Sequence, residues 1–266
     1  MNNMHKMIVS LALGCSLMAA ASSTQASLVA MWDFNGGSLT DSVGGVQLTI
    51  QTGYPVDSAA TRVENGQLII ARREAVYTTD SSVLLSGDFT LWLTMSSSSI
   101  ATNNIFFGYG TSTVGTDNLM PSFNDIGYAA YFTGADTAPI NAQYKGDLAT
   151  VTVGETASVS ENETFALALV YDSSTGELSI VLNGVEVSAT TNVANTLDSL
   201  TMFAVGFLRF DAASIYDNMT VDEIRIYDSA LSAAEIAAIP ESSSMAALLA
   251  VLAMGAVLAA RRRLKK

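Results

Sequence analysis

Apolar and polar residues alternate through most of the middle of the chain, which is the period of a β-strand with one buried face. In residues 89–95 the apolar residues at 89, 91, 93 and 95 fall on one face and the threonines on the other. The same period recurs in residues 164–171 and 177–182. The remaining strand-like runs are 28–34, 46–51, 67–71, 104–109, 127–132, 201–208 and 221–227. Many short strands at this spacing predict an all-β sandwich or jelly roll of two sheets.

Two local signals refine this picture. An Asn-Gly pair at 183–184 separates two alternating runs and predicts a tight β-hairpin, because both turn residues need a positive φ. Residues 231–239 have the helical period instead. Ser232 and Glu235 there have the spacing of a capping box, and Pro240 ends the helix.

The first 26 residues have the three-part layout of a secretory signal peptide. A positive charge precedes an apolar run at 7–21, and small residues lead up to Ala26. The run is shorter than the ~20 residues that span a bilayer. We therefore predict cleavage between Ala26 and Ser27, so that the chain is exported. The alternatives are cleavage after Ala21 and a lipoprotein with lipid on Cys15, which follows a glycine.

The other end of the chain has the pattern of a membrane anchor. Residues 245–260 carry no charge, and Arg261, Arg262 and Arg263 follow them. This predicts one transmembrane helix whose basic end stays in the cytoplasm, which leaves the domain at 27–239 on the outside.

This tail, residues 240–266, resembles the PEP-type C-terminal sorting signal of Gram-negative bacteria. In that family a Pro-Glu-Pro motif precedes the apolar helix and an arginine cluster, and a membrane-embedded exosortase cleaves near the motif. Pro240 and Glu241 match the first two positions, and Ser242 replaces the second proline. The resemblance implies an exosortase-type processing enzyme as a partner and a position in the cell envelope or on the cell surface. A plain tail anchor is the alternative and has the same topology.

Composition excludes several classes of function. The chain is 49% hydrophobic and 14% charged, with 25 acidic and 12 basic residues, so it is neither a disordered polyelectrolyte nor a nucleic-acid binder. Its single histidine and single cysteine, His5 and Cys15, both lie in the predicted signal peptide. A Ser/His/Asp triad, a Cys/His dyad and a zinc site of His or Cys ligands are therefore excluded for the exported domain.

Three motifs of this domain carry a second family resemblance. The chain reads Ala-Met-Trp-Asp-Phe at 30–34 with Asp41 shortly after, and it has the 183–184 hairpin. It closes with Thr-Val-Asp-Glu-Ile-Arg-Ile-Tyr at 220–227, followed by Leu-Ser-x-x-Glu-Ile at 231–236. Residues 28–239 thus resemble a laminin-G-like domain of the concanavalin A-like superfamily. The resemblance implies a two-sheet jelly roll that binds glycans or proteins, in some members with calcium.

Carboxylates at two places are candidate calcium ligands. Strand alternation puts Asp222 on the same face as the two isoleucines that follow it, where a carboxylate needs compensation. It could bind calcium together with Asp33 and Asp217, or it could accept hydrogen bonds from backbone N–H groups or from an arginine. Asp117 and Asp125 lie in a long loop rich in oxygen ligands, which suits calcium.

Aromatic side chains are the candidates for binding a sugar. Tyr109, Tyr128 and Tyr131 lie around the same loop and could stack on sugar rings if they are exposed; the alternative is that they belong to the core. Trp32 and Trp92 are expected in the core.

We therefore expect an exported surface protein that binds extracellular glycan or protein without catalysis. The Glu-x-Asp-x-x-Glu motif of the superfamily's retaining glucanases does not occur in the sequence. The alternatives are a structural surface or matrix protein without a specific ligand and a polysaccharide hydrolase or lyase.

Overall fold

The computed structural model describes residues 26–52, 60–71, 74–98, 104–110, 127–132, 140–145, 150–153, 159–190, 193, 200–208 and 219–240. These residues form strands, two short 3₁₀ turns and one α-helix. The strands are β1 (Leu28–Trp32), β2 (Thr49–Thr52), β3 (Arg62–Glu64), β4 (Gln67–Ile70), β5 (Glu74–Thr78), β6 (Phe89–Ser97), β7 (Asn104–Gly110), β8 (Gly127–Phe132), β9 (Ile140–Lys145), β10 (Thr150–Val153), β11 (Phe165–Asp172), β12 (Glu177–Leu182), β13 (Val185–Thr190), β14 (Met202–Leu208) and β15 (Met219–Tyr227). The 3₁₀ turns are Asn35–Gly37 and Ser81–Val83, and the α-helix is α1 (Ala233–Ala237).

The strands build two antiparallel sheets that face each other. The first sheet has the order β13-β12-β11-β6-β15-β4-β3, with β1 also paired to β15, and the second has the order β10-β9-β8-β7-β14-β5-β2. Their inner faces share one apolar core, in which Phe89 of the first sheet meets Tyr109 of the second edge to face at 5.2 Å. This is the two-sheet jelly roll predicted from the alternation.

The first sheet is also covered on its outer face. Trp92 of β6 and Ala168 of β11 point away from the second sheet and pack with Leu231 and Ile236 of the C-terminal segment in a small outer cluster. The strands β6 and β11 are therefore buried on both faces, which explains why their burial is nearly continuous although their sequences alternate. Trp32 and Trp92 are buried, as expected.

The predicted hairpin is present between β12 and β13. Asn183 and Gly184 have φ angles of 50° and 76°, as the tight turn requires. The strands β3, β5, β9 and β10 were not predicted from the sequence pattern.

Candidate functional site

The predicted sugar platforms Tyr109 and Tyr128 belong to the core. Both side chains are completely buried between the sheets, so neither can stack on a ligand, and this expectation was wrong. The Tyr109 hydroxyl donates a 2.6 Å hydrogen bond to the carbonyl of Val83, and burial raises its pKa well above its usual range. In a sandwich, rings that alternate inward are part of the packing that holds the sheets together. The side chain of Tyr131 lies outside the described residues.

Asp222 does not share a face with the two isoleucines after it. A bulge interrupts the pairing of β15 with β6 between Val221 and Glu223, and therefore Val221 and Ile224 both point into the core. Asp222 is half-buried and accepts a hydrogen bond from the side-chain amide of Gln67. Asp222 thus accepts a hydrogen bond within the fold, as the alternative to calcium binding proposed. The donor is a side-chain amide and not a backbone N–H group or an arginine.

The other predicted calcium ligands do not form a cluster in the described part of the chain. The Asp33 carboxylate accepts a 3.1 Å hydrogen bond from the backbone N–H of Asn35 and so closes its own turn. Asp217, Asp117 and Asp125 lie outside the described residues. Among the residues that are described, no group of three or more Asp, Glu, His or Cys side chains could hold a metal ion.

A cleft of about 240 Å³ lies on the outer face of the first sheet, against α1. We call it the α1 cleft. Residues of β6 and β11 line it from the sheet, the hairpin at 183–184 closes one side, and the C-terminal segment forms the facing wall. Its lining residues are Trp92, Thr94, Thr164, Phe165, Ala166, Asn183, Gly184, Ile236, Ala237 and Ile239.

One threonine at the wall of the α1 cleft has a side chain without a hydrogen-bond partner among the described residues. Thr94 is 5% exposed, and its hydroxyl forms no hydrogen bond with any described residue. Ala166 faces Thr94 across the β6–β11 pairing, and a methyl group offers it no partner. A buried hydroxyl without a hydrogen bond is unfavourable, so the Thr94 hydroxyl costs the fold some stability.

The wall of the cleft is fixed by contacts at both ends of α1. The Ser232 hydroxyl accepts a hydrogen bond from the backbone N–H of Glu235, and the Glu235 carboxylate accepts one from the N–H of Ser232, so the predicted capping box is confirmed. The Ser232 hydroxyl also donates a 2.7 Å hydrogen bond to the Glu235 carboxylate, and this bond, together with the one from the Ser232 N–H, holds the pKa of Glu235 below its usual value. At the other end, a Cβ on Gly184 would lie only 2.6 Å from the Cβ of Ala237. The backbone of the hairpin at Gly184 therefore packs directly against Ala237 of the helix, with no room for a side chain between them.

A buried ion pair lies beside the cleft. Glu223 and Arg225 of β15 are both buried, and the guanidinium donates to the Glu223 carboxylate and, at 2.7 Å, to the carbonyl of Pro240. The guanidinium carbon also lies 5.2 Å from the ring centre of Trp92. Burial disfavours the charged form of Arg225, but the bonds and charges of Glu223 and Tyr227 outweigh it and raise its pKa. The arginine thus ties the end of the C-terminal segment to the sheet.

The residues of the predicted cleavage site border the domain. The backbone N–H of Ser27 donates a 2.8 Å hydrogen bond to the Asp228 carboxylate, and Ala26 packs on the outer cluster. Of the sorting signal only Pro240 is described; Glu241 and the three arginines Arg261, Arg262 and Arg263 lie outside. A search of the described residues for a helix long and apolar enough to cross a membrane found none.

The fold and these motifs match a known protein family. The laminin-G-type family model described as the concanavalin A-like lectin/glucanases superfamily matches residues 71–237. The chain belongs to this family. A comparison with curated protein sequences gave no match.

Several solved structures are similar to this chain at low sequence identity. Domain 4 of AbnA, a GH43 extracellular arabinanase from Geobacillus stearothermophilus, in complex with arabinotriose, has a TM-score of 0.60 and 20% identity over 80% of this chain and 97% of that one. A structure of botulinum neurotoxin type C, reported to enter cells through two ganglioside molecules, has a TM-score of 0.57 and 11% identity over 79% of this chain and 50% of that one. The binding domain of botulinum neurotoxin DC in complex with rat synaptotagmin II has a TM-score of 0.56 and 12% identity, with the same coverage. At these identities the similarity shows the fold.

The α1 cleft was not predicted from the sequence. The alternation placed the threonines of β6 on the outer face, but an outer face is normally solvated, and only the packing of α1 turns part of it into a cleft. The signal that could have found it is Trp92, a large apolar residue between threonines on that face. A tryptophan there indicates that something covers the sheet.

Proposed function

We propose that the protein is an exported surface protein whose concanavalin A-like domain binds extracellular glycan without catalysis. The observation that carries this proposal is the similarity over 97% of an arabinanase domain that was solved with arabinotriose bound. The toxin structures support it as well, since one is described as binding gangliosides and another as binding a receptor protein. A glycan ligand also agrees with the mixed polar and apolar lining of the α1 cleft.

Two buried carboxylates in the described part of the domain are engaged within the fold, which supports a role without catalysis. Glycoside hydrolysis needs two carboxylates that flank the scissile bond. The buried Asp41 accepts hydrogen bonds from three backbone N–H groups of the 43–46 turn, and the buried Glu223 is paired with Arg225. No acid is found among the described residues that line the α1 cleft. The carboxylates of Asp41 and Glu223 therefore stabilise the fold.

The two ends of the chain complete the proposal. The signal peptide exports the domain of a Gram-negative bacterium to the cell envelope, and the C-terminal tail retains it there as a single-pass anchor until an exosortase-type enzyme processes it. Calcium remains a proposed ligand of the loop that contains Asp117 and Asp125, because its oxygen-rich sequence suits that ion.

A polysaccharide array tests the proposal directly. The whole exported protein, purified from the envelope in detergent, is applied once with calcium and once with chelator, and we expect selective binding to a small set of glycans. Loss of binding in chelator would locate the contact near the calcium loop. Absence of binding under both conditions would contradict the proposal and favour a structural surface protein.

A further inference from the structure

The chain contains three Asn-Gly pairs, at 35–36, 65–66 and 183–184. This pair is chemically labile in water, because a glycine places no side chain in the way of its own backbone nitrogen. That nitrogen attacks the side-chain carbonyl carbon of the asparagine, and ammonia leaves as a cyclic imide forms. Water then opens the imide to aspartate or to isoaspartate, whose backbone is longer by one methylene group. The reaction thus consumes one water and releases one ammonia.

Two of these pairs occupy the same kind of turn. Asn65 and Gly66 have φ angles of 55° and 78°, and Asn183 and Gly184 have φ angles of 50° and 76°. The first pair joins β3 to β4 and the second joins β12 to β13, and both asparagines are exposed. Their backbone conformation therefore does not distinguish them. A difference in reactivity has to come from what surrounds each turn.

Asn183 is held in place on both sides of its own backbone. Its N–H donates a 2.8 Å hydrogen bond to the carbonyl of Ala166, and its side-chain carbonyl accepts a 2.9 Å bond from the Ala166 N–H. The side chain has to give up the second bond before its carbonyl carbon can turn to the Gly184 nitrogen. The longer isoaspartate backbone also needs room at Gly184, where a Cβ would lie 2.6 Å from that of Ala237. This turn therefore resists the reaction at both of its residues.

Asn65 has neither of these restraints. Its side chain makes no hydrogen bond with any residue of the described part of the chain. Among the described residues, a Cβ on Gly66 would meet only the side-chain oxygen of Asn35, at 3.2 Å, and the end of a side chain can move. The strand β3 pairs over three residues, whereas β13 pairs with β12 at five positions. A hairpin with fewer paired residues opens locally at a lower cost.

The third pair lies against the second. Asn35 and Gly36 are exposed in a 3₁₀ turn, and no described atom lies within 4 Å of a Cβ on Gly36. The imide and its products therefore have room there. The contact between Asn35 and Gly66 also makes the two exposed turns neighbours on the surface.

From these contrasts we infer that Asn35 and Asn65 are sites of spontaneous deamidation and that the fold protects Asn183. Each conversion replaces a neutral amide by a carboxylate, so the surface around the two neighbouring turns becomes more acidic with time. Isoaspartate at position 65 also lengthens the turn and disturbs the pairing of the short strand β3. The inference goes beyond the proposed glycan binding and does not depend on it.

The converted fraction can be measured at each asparagine by peptide mapping. The whole exported protein, purified in detergent, is kept in mildly alkaline buffer, since loss of the glycine N–H proton speeds the attack. Mass spectrometry at intervals counts each conversion, and electron-transfer fragmentation distinguishes isoaspartate from aspartate. We expect Asn35 and Asn65 to convert about tenfold or more faster than Asn183, because two hydrogen bonds of Asn183 have to open first. In guanidinium chloride the three rates should become similar.

Two matched variants test whether local opening controls each site. Val63 of β3 and Val187 of β13 are both partly buried and pack on the core. Val63→Ala loosens the first hairpin and should raise the rate at Asn65 severalfold, without a change at Asn183. Val187→Ala should do the reverse. Melting curves show that both variants are folded at the temperature of the incubation.

Three results would overturn the inference. The first is conversion of Asn35 or Asn65 no faster than that of Asn183 in the folded protein. The second is equal selectivity in guanidinium chloride, which would place the cause in the local sequence. The third is a rise at both hairpins in either valine variant, which would make global unfolding the controlling step. The polysaccharide array is unaffected by any of them, so the proposed function stands or fails separately.

Discussion

Arg225 is a charged residue that is almost completely buried. It is 7% exposed, and its charge is compensated by Glu223, by the carbonyl of Pro240 and by the ring of Trp92. A buried ion pair is tolerated only when further bonds of this kind replace the lost hydration. Removal of one partner leaves the other charge buried and uncompensated.

We therefore expect Arg225→Met to lower the free energy of unfolding by about 3–5 kcal/mol. The double variant Glu223→Gln with Arg225→Met should recover part of that loss, because no buried charge remains. The control is Arg62→Met, since Arg62 and Glu64 form a 2.7 Å ion pair whose side chains are 44% and 49% exposed. An exposed pair contributes less than about 1 kcal/mol. Equal losses in urea unfolding for the two single variants would contradict this assignment.

At the scale of elements, the sequence predicts the strands in which apolar and polar residues alternate between the two faces. It misses strands that lack this alternation. The alternating strands β6, β11 and β12 agree with the prediction to within two residues. The strand β5 is buried at four of five positions, so it has no alternation to recognise. The three-residue strand β3 is too short for a period, although the Asn-Gly turn at 65–66 that follows it is a hairpin signal.

The candidate site was less predictable than the strands. The bulge at Asp222 shifts the alternation of β15 by one residue, and nothing in the local sequence marks it. It lies where β4 ends its pairing with β15 at Val221 and β1 begins at Ile224, which is a property of the topology. The α1 cleft likewise exists only because a C-terminal element packs against strands that precede it by many residues.

The cap of α1 makes the wall of the cleft sensitive to acid. Ser232→Ala should cost about 1 kcal/mol at neutral pH. Because the cap lowers the pKa of Glu235 in the folded state, its contribution is complete above the unfolded pKa of about 4.3 and is lost as the pH falls through the folded value. In urea unfolding the difference between Ser232→Ala and the parent should therefore shrink below about pH 4.

Ser229→Ala is the matched control for that experiment. The Ser229 hydroxyl is buried without a partner among the described residues, so its removal should leave the stability unchanged or raise it. A Ser232→Ala deficit that stays constant down to low pH would contradict the role of the Glu235 carboxylate.

At the scale of the whole molecule, both described ends of the domain are bonded close to the C-terminal end of β15. Ser27 is bonded to Asp228, the residue after β15, and Pro240 is bonded to Arg225 of β15, so the partners of the two ends lie three positions apart in the sequence. Both membrane-directed segments would then approach the bilayer from the same side of the domain.

This arrangement predicts a consequence of maturation. Cleavage after Ala26 turns the Ser27 nitrogen into an ammonium group next to the Asp228 carboxylate, and a charge-assisted bond is stronger than a neutral one. Mass spectrometry of the exported protein should find Ser27 as the first residue. Asp228→Asn should lower the melting temperature of this form more than that of a form that retains residues before Ser27. A chain that begins at residue 22, or one with lipid on Cys15, would contradict this.

The bond between Arg225 and the Pro240 carbonyl has a mechanical consequence for a tethered protein. Tension applied to the chain beyond Pro240 reaches Arg225 first and passes into β15, so the segment 226–239 with α1 forms a closed loop outside the line of force. Within the sheet β15 is bonded to β6 on one edge and to β1 and β4 on the other, and a pull along it loads many hydrogen bonds in shear. While this hydrogen bond holds, a pull on the chain beyond Pro240 would leave α1, and with it the wall of the α1 cleft, in place.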